Sequence, residues 1–146
     1  MTAIAKHQLA ALLPHAEPMV LLDCITWWDN DSIHCTAINH TQSDNPLRVD
    51  GFLSVFSAVE YAAQAMAAHA RLCAPQGQVA PAKGFIAVAS KLKAHTEQLD
   101  QLAGELLITA HPLVQNNSSS LYEFSVSCQQ TPLLTGQITA VINPET

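Results

Sequence analysis

The sequence predicts an α+β domain in which a curved antiparallel β-sheet wraps around one long central helix. Three observations predict it: an Ala-rich apolar stretch over residues 52–72, two strand-like segments before it, and four strand-like segments after it. Runs of helix and strand, rather than a regular alternation of the two, are typical of α+β proteins. The 146 residues are enough for one hydrophobic core, so we predict a single domain over residues 1–146.

The segments before the long helix are set by apolar spacing and by turn residues. They are a short helix over residues 3–13, a first strand over 19–28, a second strand over 33–39 and a polar loop over 40–50. Pro14 ends the short helix, because proline cannot continue one. The turn cluster Asp29-Asn30-Asp31-Ser32 separates the two strands and predicts a hairpin.

The long helix is predicted over residues 52–72, with Asp50 or Ser54 as its N-cap and with Pro75 and Gly77 beyond its end. The four later strands are predicted over residues 84–95, 104–115, 121–129 and 133–142, with turns at 116–120 and 130–132. A helix that is apolar nearly all round must be covered on several sides. A curved antiparallel sheet around it satisfies that need, and this architecture is the hotdog fold.

The composition bounds the possible partners. Charged residues make up only 12% of the chain, so a monomer would expose much apolar surface and we expect an oligomer. The net charge is −6 and no basic run occurs, which argues against nucleic acid as a partner. An anionic carrier would need a local basic patch, for which the available cations are Arg48, Arg71, Lys83, Lys91 and Lys93.

The sequence also predicts the cellular compartment of the protein. No segment reaches the roughly 18 consecutive apolar residues of a membrane helix, and the N-terminal apolar run is too short for a signal peptide. The four cysteines contain no Cys-x-x-Cys pair. We therefore expect reduced thiols in a cytoplasmic protein without a membrane span.

Glu60 is the most informative candidate residue. It is the one carboxylate of the apolar stretch Val59–Ala68. A carboxylate buried in such a helix is costly unless it is paired, hydrogen-bonded or protonated, so its presence favours a role as an acid or base. Gln64 lies four residues later and is expected on the same helix face. The alternative interpretation is a surface glutamate that caps, pairs or meets solvent.

Two motifs resemble those of a known family. Leu13-Pro14-His15-Ala16-Glu17-Pro18-Met19-Val20-Leu21-Leu22-Asp23 is similar to the Leu-Pro-His…Pro-x-x-x-x-Asp opening of the 3-hydroxyacyl-[acyl-carrier-protein] dehydratases. Glu60-Tyr61-Ala62-Ala63-Gln64-Ala65 is similar to their Glu-x-Met-Ala-Gln-x helix. The resemblance is closest to the divergent subfamily linked to aryl-polyene biosynthesis, which also shows a strand start like Gly84-Phe85.

The resemblance implies a hotdog dimer, homomeric or heteromeric, with its long helices side by side and its sites at the subunit interface. Such enzymes remove water from a 3-hydroxyacyl thioester carried on the phosphopantetheine arm of acyl carrier protein, without a metal or redox cofactor. By resemblance Glu60 is the acid that protonates the leaving hydroxyl, and Gln64 orients it or binds that hydroxyl. Backbone amides near Gly51, Phe52 and Leu53 would polarise the thioester oxygen.

The family's catalytic histidine is missing from its usual place. The dehydratases carry His-Phe-Pro-Gly before the helix, whereas Pro46 occupies the histidine position here. His15, His40 and Asp50 are the candidate replacements for the base. Each has a plainer interpretation: His15 as a backbone partner at a proline turn, His40 as an exposed loop residue, and Asp50 as a helix cap.

Three functions remain open at this point. The first is an active dehydratase on 3-hydroxyacyl thioesters. The second is a catalytically degenerate subunit that pairs with a complete dehydratase, an idea that the missing histidine motivates. The third is an acyl-thioesterase, because one helix carboxylate suffices to activate water for thioester hydrolysis.

Overall fold

One antiparallel sheet and one long helix form the fold. The computed structural model describes residues 3–13, 19–73, 85–116 and 119–142. The helices are α1 (Lys6–Leu9), continued by a 3-10 turn (Ala10–Leu12), two further 3-10 turns (Asn39–Thr41 and Val55–Ser57), and α2 (Ala58–Cys73). The strands are β1 (Cys24–Asp29), β2 (Ser32–Ala37), β3 (Phe85–Ala94), β4 (Leu106–Gln115), β5 (Ser119–Cys128) and β6 (Thr131–Ile142).

The sheet has the order β1-β2-β4-β5-β6-β3, and every neighbouring pair is antiparallel. The side chains of β4 alternate, with Leu106 and Ile108 fully buried and Leu107 exposed on the opposite face. Helix α2 packs on the inner face of β2, β4 and β5. β3 is an edge strand, and it carries the exposed apolar side chains of Val88 and Leu92.

Helix α2 buries one face against the sheet and leaves the other uncovered. Small side chains such as Ala62, Ala65 and Ala68 are fully buried, which lets the strands approach the helix closely. Ala70 is exposed on the uncovered side. No helix in the described ranges is both long and apolar enough to cross a membrane.

The predicted order of elements and the hotdog architecture are confirmed, with shifts at the boundaries. The first strand begins at Cys24 rather than at residue 19, because the backbone of Met19 and Leu21 bonds to a helix side chain instead of a neighbouring strand. The helical part begins at Val55, where the hydroxyl of Ser54 accepts the Phe56 amide as its cap. The predicted stop signals beyond the helix and the predicted strand start at residue 84 lie outside the described residues.

The end of α2 is fixed to the sheet by a buried histidine. The Nε2 of His69 lies 2.7 Å from the Asp29 carbonyl oxygen, which can only accept, so Nε2 carries the hydrogen. Its Nδ1 then accepts from the Tyr122 hydroxyl at 2.5 Å. Tyr122 in turn accepts from the Gln115 side chain at 3.3 Å. This chain of bonds joins the helix to the β1–β2 hairpin and to β5.

Acid is expected to destabilise the chain through its buried histidines. Burial lowers the pKa of both His40 and His69 from the usual 6.5. The unfolded state therefore binds more protons than the folded state below about pH 6.5, and the stabilisation present above that pH is lost as the pH falls. Denaturant unfolding from about pH 7.5 to about pH 5.5 should show this slope, and His69→Gln should flatten it. His95→Gln is the matched control because that side chain is exposed. A free energy of unfolding that stays constant or rises on acidification would contradict the prediction.

Candidate active site

Glu60 lies in the first turn of α2, and its side chain is exposed in the single chain. Of the two interpretations of Glu60, a buried carboxylate or a surface one, the single chain therefore supports the surface position. The helix turns its other side, with Tyr61, Ala62 and Ala65, into the sheet, and Glu60 falls on the uncovered side. A second chain packed on that side would surround Glu60 with apolar groups.

Large apolar side chains lie uncovered just before Glu60 in the chain. Phe56, one helical turn earlier, is 51% exposed, and Phe52 is 43% exposed. Val49 is 70% exposed. Several exposed large apolar side chains within one segment are typical of a surface that another molecule covers.

Asp50 and Gly51 form a tight two-residue turn. Both have positive φ, 53° and 78°, and the backbone groups of Val49 and Phe52 exchange two hydrogen bonds of 2.9 Å. Asp-Gly is a preferred pair for such a turn because glycine adopts positive φ without steric cost. Asp50 is thus exposed at the tip of a turn, and of the two predicted caps, Asp50 and Ser54, the structure has Ser54.

The same turn uses one of the three backbone amides that were predicted to polarise the thioester oxygen. The Phe52 amide donates to Val49 inside the turn, which removes it from that set. Among the described residues, no hydrogen bond uses the amides of Gly51 or Leu53. Both amides lie before Ser54, the N-cap of the 3-10 turn Val55–Ser57, and so remain available as donors next to the helix start.

Gln64 has a different position from the one predicted. Its Oε1 accepts from the Leu21 amide at 2.9 Å, and its Nε2 donates to the Met19 carbonyl at 2.5 Å. Gln64 is 1% exposed. Residues four apart differ by about 40° around a helix, and here the boundary between covered and uncovered sides falls between Glu60 and Gln64. Gln64 therefore fastens the segment before β1 and makes no described contact with Glu60.

His40 is fully buried in the 3-10 turn Asn39–Thr41, so its interpretation as an exposed loop residue is wrong. Its Nε2 donates to the Leu102 carbonyl at 3.3 Å, and its Nδ1 has no partner among the described atoms. In the described part of the chain no hydrogen bond or ion pair joins Glu60 to any histidine. His15 lies outside the described residues, so its candidacy stays a prediction.

A polar network that was not predicted from the sequence lies beside the helix start. The Tyr61 hydroxyl donates to the Asn39 side chain at 2.7 Å and accepts from the Asn45 side chain at 3.0 Å. Burial raises the pKa of Tyr61 to about 12, so it stays neutral. Tyr61 therefore ties the loop after β2 to the helix turn that carries Glu60. The only sequence signal for this network was that Tyr61 directly follows Glu60 in the chain.

A second missed contact joins the same loop to the segment after β3. The Arg48 Nη1 lies 2.9 Å from an Asp100 carboxylate oxygen, and both side chains are largely buried. Arg48 is thus engaged within the chain and is not a free cation for an anionic carrier. In the described residues no group of three or more histidine, cysteine, aspartate or glutamate side chains is arranged to hold a metal ion.

Comparisons with known structures agree on the architecture. The dehydratase heterocomplex ApeI:P from Xenorhabdus doucetiae matches with a TM-score of 0.79 and 22% identity, over 94% of this chain and 91% of that one. A mutant thioesterase from Pseudomonas aeruginosa matches with a TM-score of 0.62 and 16% identity, over 92% and 91% of the two chains. The PaaI protein from the phenylacetic acid degradation operon of E. coli matches with a TM-score of 0.58 and 18% identity, over 92% and 90%.

At these identities the structural matches show the hotdog fold alone. A comparison with curated proteins gives no significant match. The sequence model of the ApeP-like family, described as ApeP dehydratase, matches residues 7–146, which is nearly the whole chain. The match agrees with the two motifs and with the fold, and the chain therefore belongs to the ApeP-like family.

Proposed function

We propose that this chain is a dehydratase subunit acting on 3-hydroxyacyl thioesters carried by acyl carrier protein, in fatty-acid or aryl-polyene type synthesis. It removes water to give the 2-enoyl thioester, in the cytoplasm and without a metal or redox cofactor. The observation that carries the proposal is the position of Glu60: an uncovered carboxylate in the first turn of α2, preceded by the exposed rings of Phe52 and Phe56.

The reaction needs three groups. A base removes the proton from the carbon next to the thioester carbonyl. Amides of Gly51 and Leu53 stabilise the negative charge that develops on the carbonyl oxygen. Glu60 donates its proton to the hydroxyl on the next carbon, the carbon–oxygen bond breaks, and water leaves.

The base is proposed to come from a second hotdog subunit. Pro46 stands where the family's histidine is expected, and in the described residues no histidine is bonded to Glu60. The uncovered side of α2 and the exposed edge strand β3 offer the surface that a partner would need. A dehydratase heterocomplex among the structural matches supports a heteromeric partner over a second copy of this chain.

The test is intact mass spectrometry of 3-hydroxyacyl-carrier protein after incubation with the purified chain, alone and with a candidate hotdog partner. Loss of one water only in the presence of the partner supports the proposal. Loss of water with the chain alone would instead assign the base to this chain, with His15 as the first residue to test. Release of the free carrier would indicate the thioesterase, and undiminished turnover by the partner without this chain would indicate a non-catalytic subunit.

A single substitution on the uncovered surface should disrupt the complex. Phe56→Asp replaces an exposed ring with a carboxylate one turn before Glu60, and we expect the dissociation constant for the partner to rise by at least about tenfold. Leu107→Asp is the matched control, because Leu107 is 42% exposed on the outer face of the sheet. Equal affinity of the Phe56→Asp chain and the control, measured by analytical ultracentrifugation, would place the interface elsewhere.

A further inference from the structure

We propose that Arg48 is a positioning residue of this site, holding the Val49–Phe52 turn so that the Gly51 and Leu53 amides face the thioester oxygen. The inference rests on the proposed function and adds to it a residue that makes no contact with substrate. It is carried by four hydrogen bonds of one largely buried guanidinium.

The guanidinium donates hydrogen bonds to three backbone carbonyls of one loop. The Arg48 Nε donates to the Gln42 carbonyl at 2.8 Å, and Nη2 donates to the His40 carbonyl at 2.9 Å. Nη1 donates to the Gly51 carbonyl at 3.1 Å. The contacts span residues 40–51, so one side chain fixes both ends of the segment that leads into the helix.

The fourth bond ties this loop to a different part of the chain. Nη1 also donates to Asp100 at 2.9 Å, in the segment between β3 and β4. That segment is itself held at the helix start, because Leu99 donates to the Leu53 carbonyl at 2.9 Å and Val55 donates to the Glu97 carbonyl at 3.0 Å. The Arg48–Asp100 pair therefore completes a frame around residues 49–55.

Only arginine suits this role. A guanidinium presents five N–H donors in a fixed plane, and Arg48 uses four of them in different directions. A lysine ammonium at the same place would keep the charge next to Asp100 but would lose the separate reach to the three carbonyls. Arg48 therefore holds the backbone of the loop in place in addition to pairing with the charge of Asp100.

The position of the Gly51 carbonyl connects this frame to the chemistry. The carbonyl of Gly51 is bonded to Arg48, so the peptide plane between Gly51 and Phe52 cannot rotate freely. That plane sets the direction of the chain between the Gly51 and Leu53 amides. Oxyanion donors stabilise a transition state only when they are preoriented, and a displacement of about 1 Å can cost about 100-fold in rate.

The experiment compares Arg48→Ala, Arg48→Lys and Asp100→Asn in the assembled complex, with Asp44→Asn as the matched control. Asp44 is exposed in the same loop, and its side chain makes no hydrogen bond or ion pair with the described residues. For Arg48→Ala we expect kcat to fall by about 10- to 100-fold with KM within about twofold. Arg48→Lys should recover part of the loss, and Asp100→Asn should lose less because three carbonyl contacts remain.

A second measurement separates positioning from general destabilisation and from failure of the proposed function. Hydrogen exchange at the bonded Val49 and Phe52 amides should speed up in Arg48→Ala while exchange in α2 stays unchanged. Ile138→Val, which removes one methyl group from the core, should reduce stability without changing kcat. Unchanged exchange at the turn, or a loss confined to KM, would overturn the inference. A wild-type complex without dehydration would contradict the proposed function, and the exchange data would still decide whether Arg48 holds the turn.

Discussion

Replacing Glu60 with glutamine is expected to lower the rate of dehydration by about 10²- to 10⁴-fold, the usual contribution of a general acid. Glutamine keeps the size and polarity of the side chain but cannot transfer a proton to the leaving hydroxyl. Because Glu60 is exposed in the single chain and makes no described hydrogen bond, the fold should not depend on it. The measurement is loss of water from 3-hydroxyacyl-carrier protein by the assembled complex, followed by mass spectrometry.

The matched control is Glu123→Gln, on the outer face of β5. Glu123 is an exposed carboxylate that pairs with His111 at 3.3 Å, and surface ion pairs of this kind contribute little to stability. The Glu123→Gln chain should retain full activity and an unchanged melting temperature. Full activity of the Glu60→Gln complex would remove Glu60 from the mechanism and, with it, the main support for the proposed function.

The fold could be predicted because its signals are local and repeated. The order of apolar stretches and turn clusters gave one long helix between groups of two and four strands, and that order is the one observed. The Asp50–Gly51 turn was also readable in principle, because Asp-Gly pairs are a strong signal for a two-residue turn. It was missed because the same carboxylate also fits the pattern of a helix cap.

The site was harder to predict because its surroundings lie partly beyond one chain. The apolar sequence around Glu60 predicts burial, yet a single chain covers only one side of α2. A sequence also does not say which partners a long polar side chain finds. Arg48 bonds to carbonyls up to eight positions away and to Asp100, and that set depends on how two loops meet.

For Gln64, an experiment can clearly distinguish a catalytic role from a structural one. The family resemblance implies that it orients Glu60 or binds the substrate hydroxyl. In the structure both ends of its side chain are occupied by the backbone of Met19 and Leu21, at 2.5 Å and 2.9 Å. A residue so engaged should contribute to folding, because its removal leaves the buried Leu21 amide and the part-buried Met19 carbonyl without partners.

Gln64→Leu is therefore expected to reduce the free energy of unfolding by about 3 kcal/mol, since each unsatisfied buried group costs about 1–3 kcal/mol. For a chain of this size that loss lowers the melting temperature by roughly 10 °C. Gln8→Leu is the matched control, because Gln8 is an exposed helix residue. Two measurements distinguish the two roles: thermal unfolding of each variant, and turnover at a temperature below the melting transitions of both variants. A stable Gln64→Leu chain with a large loss of kcat would return Gln64 to the catalytic set, whereas an unstable chain with retained kcat assigns it to the anchoring of the segment before β1.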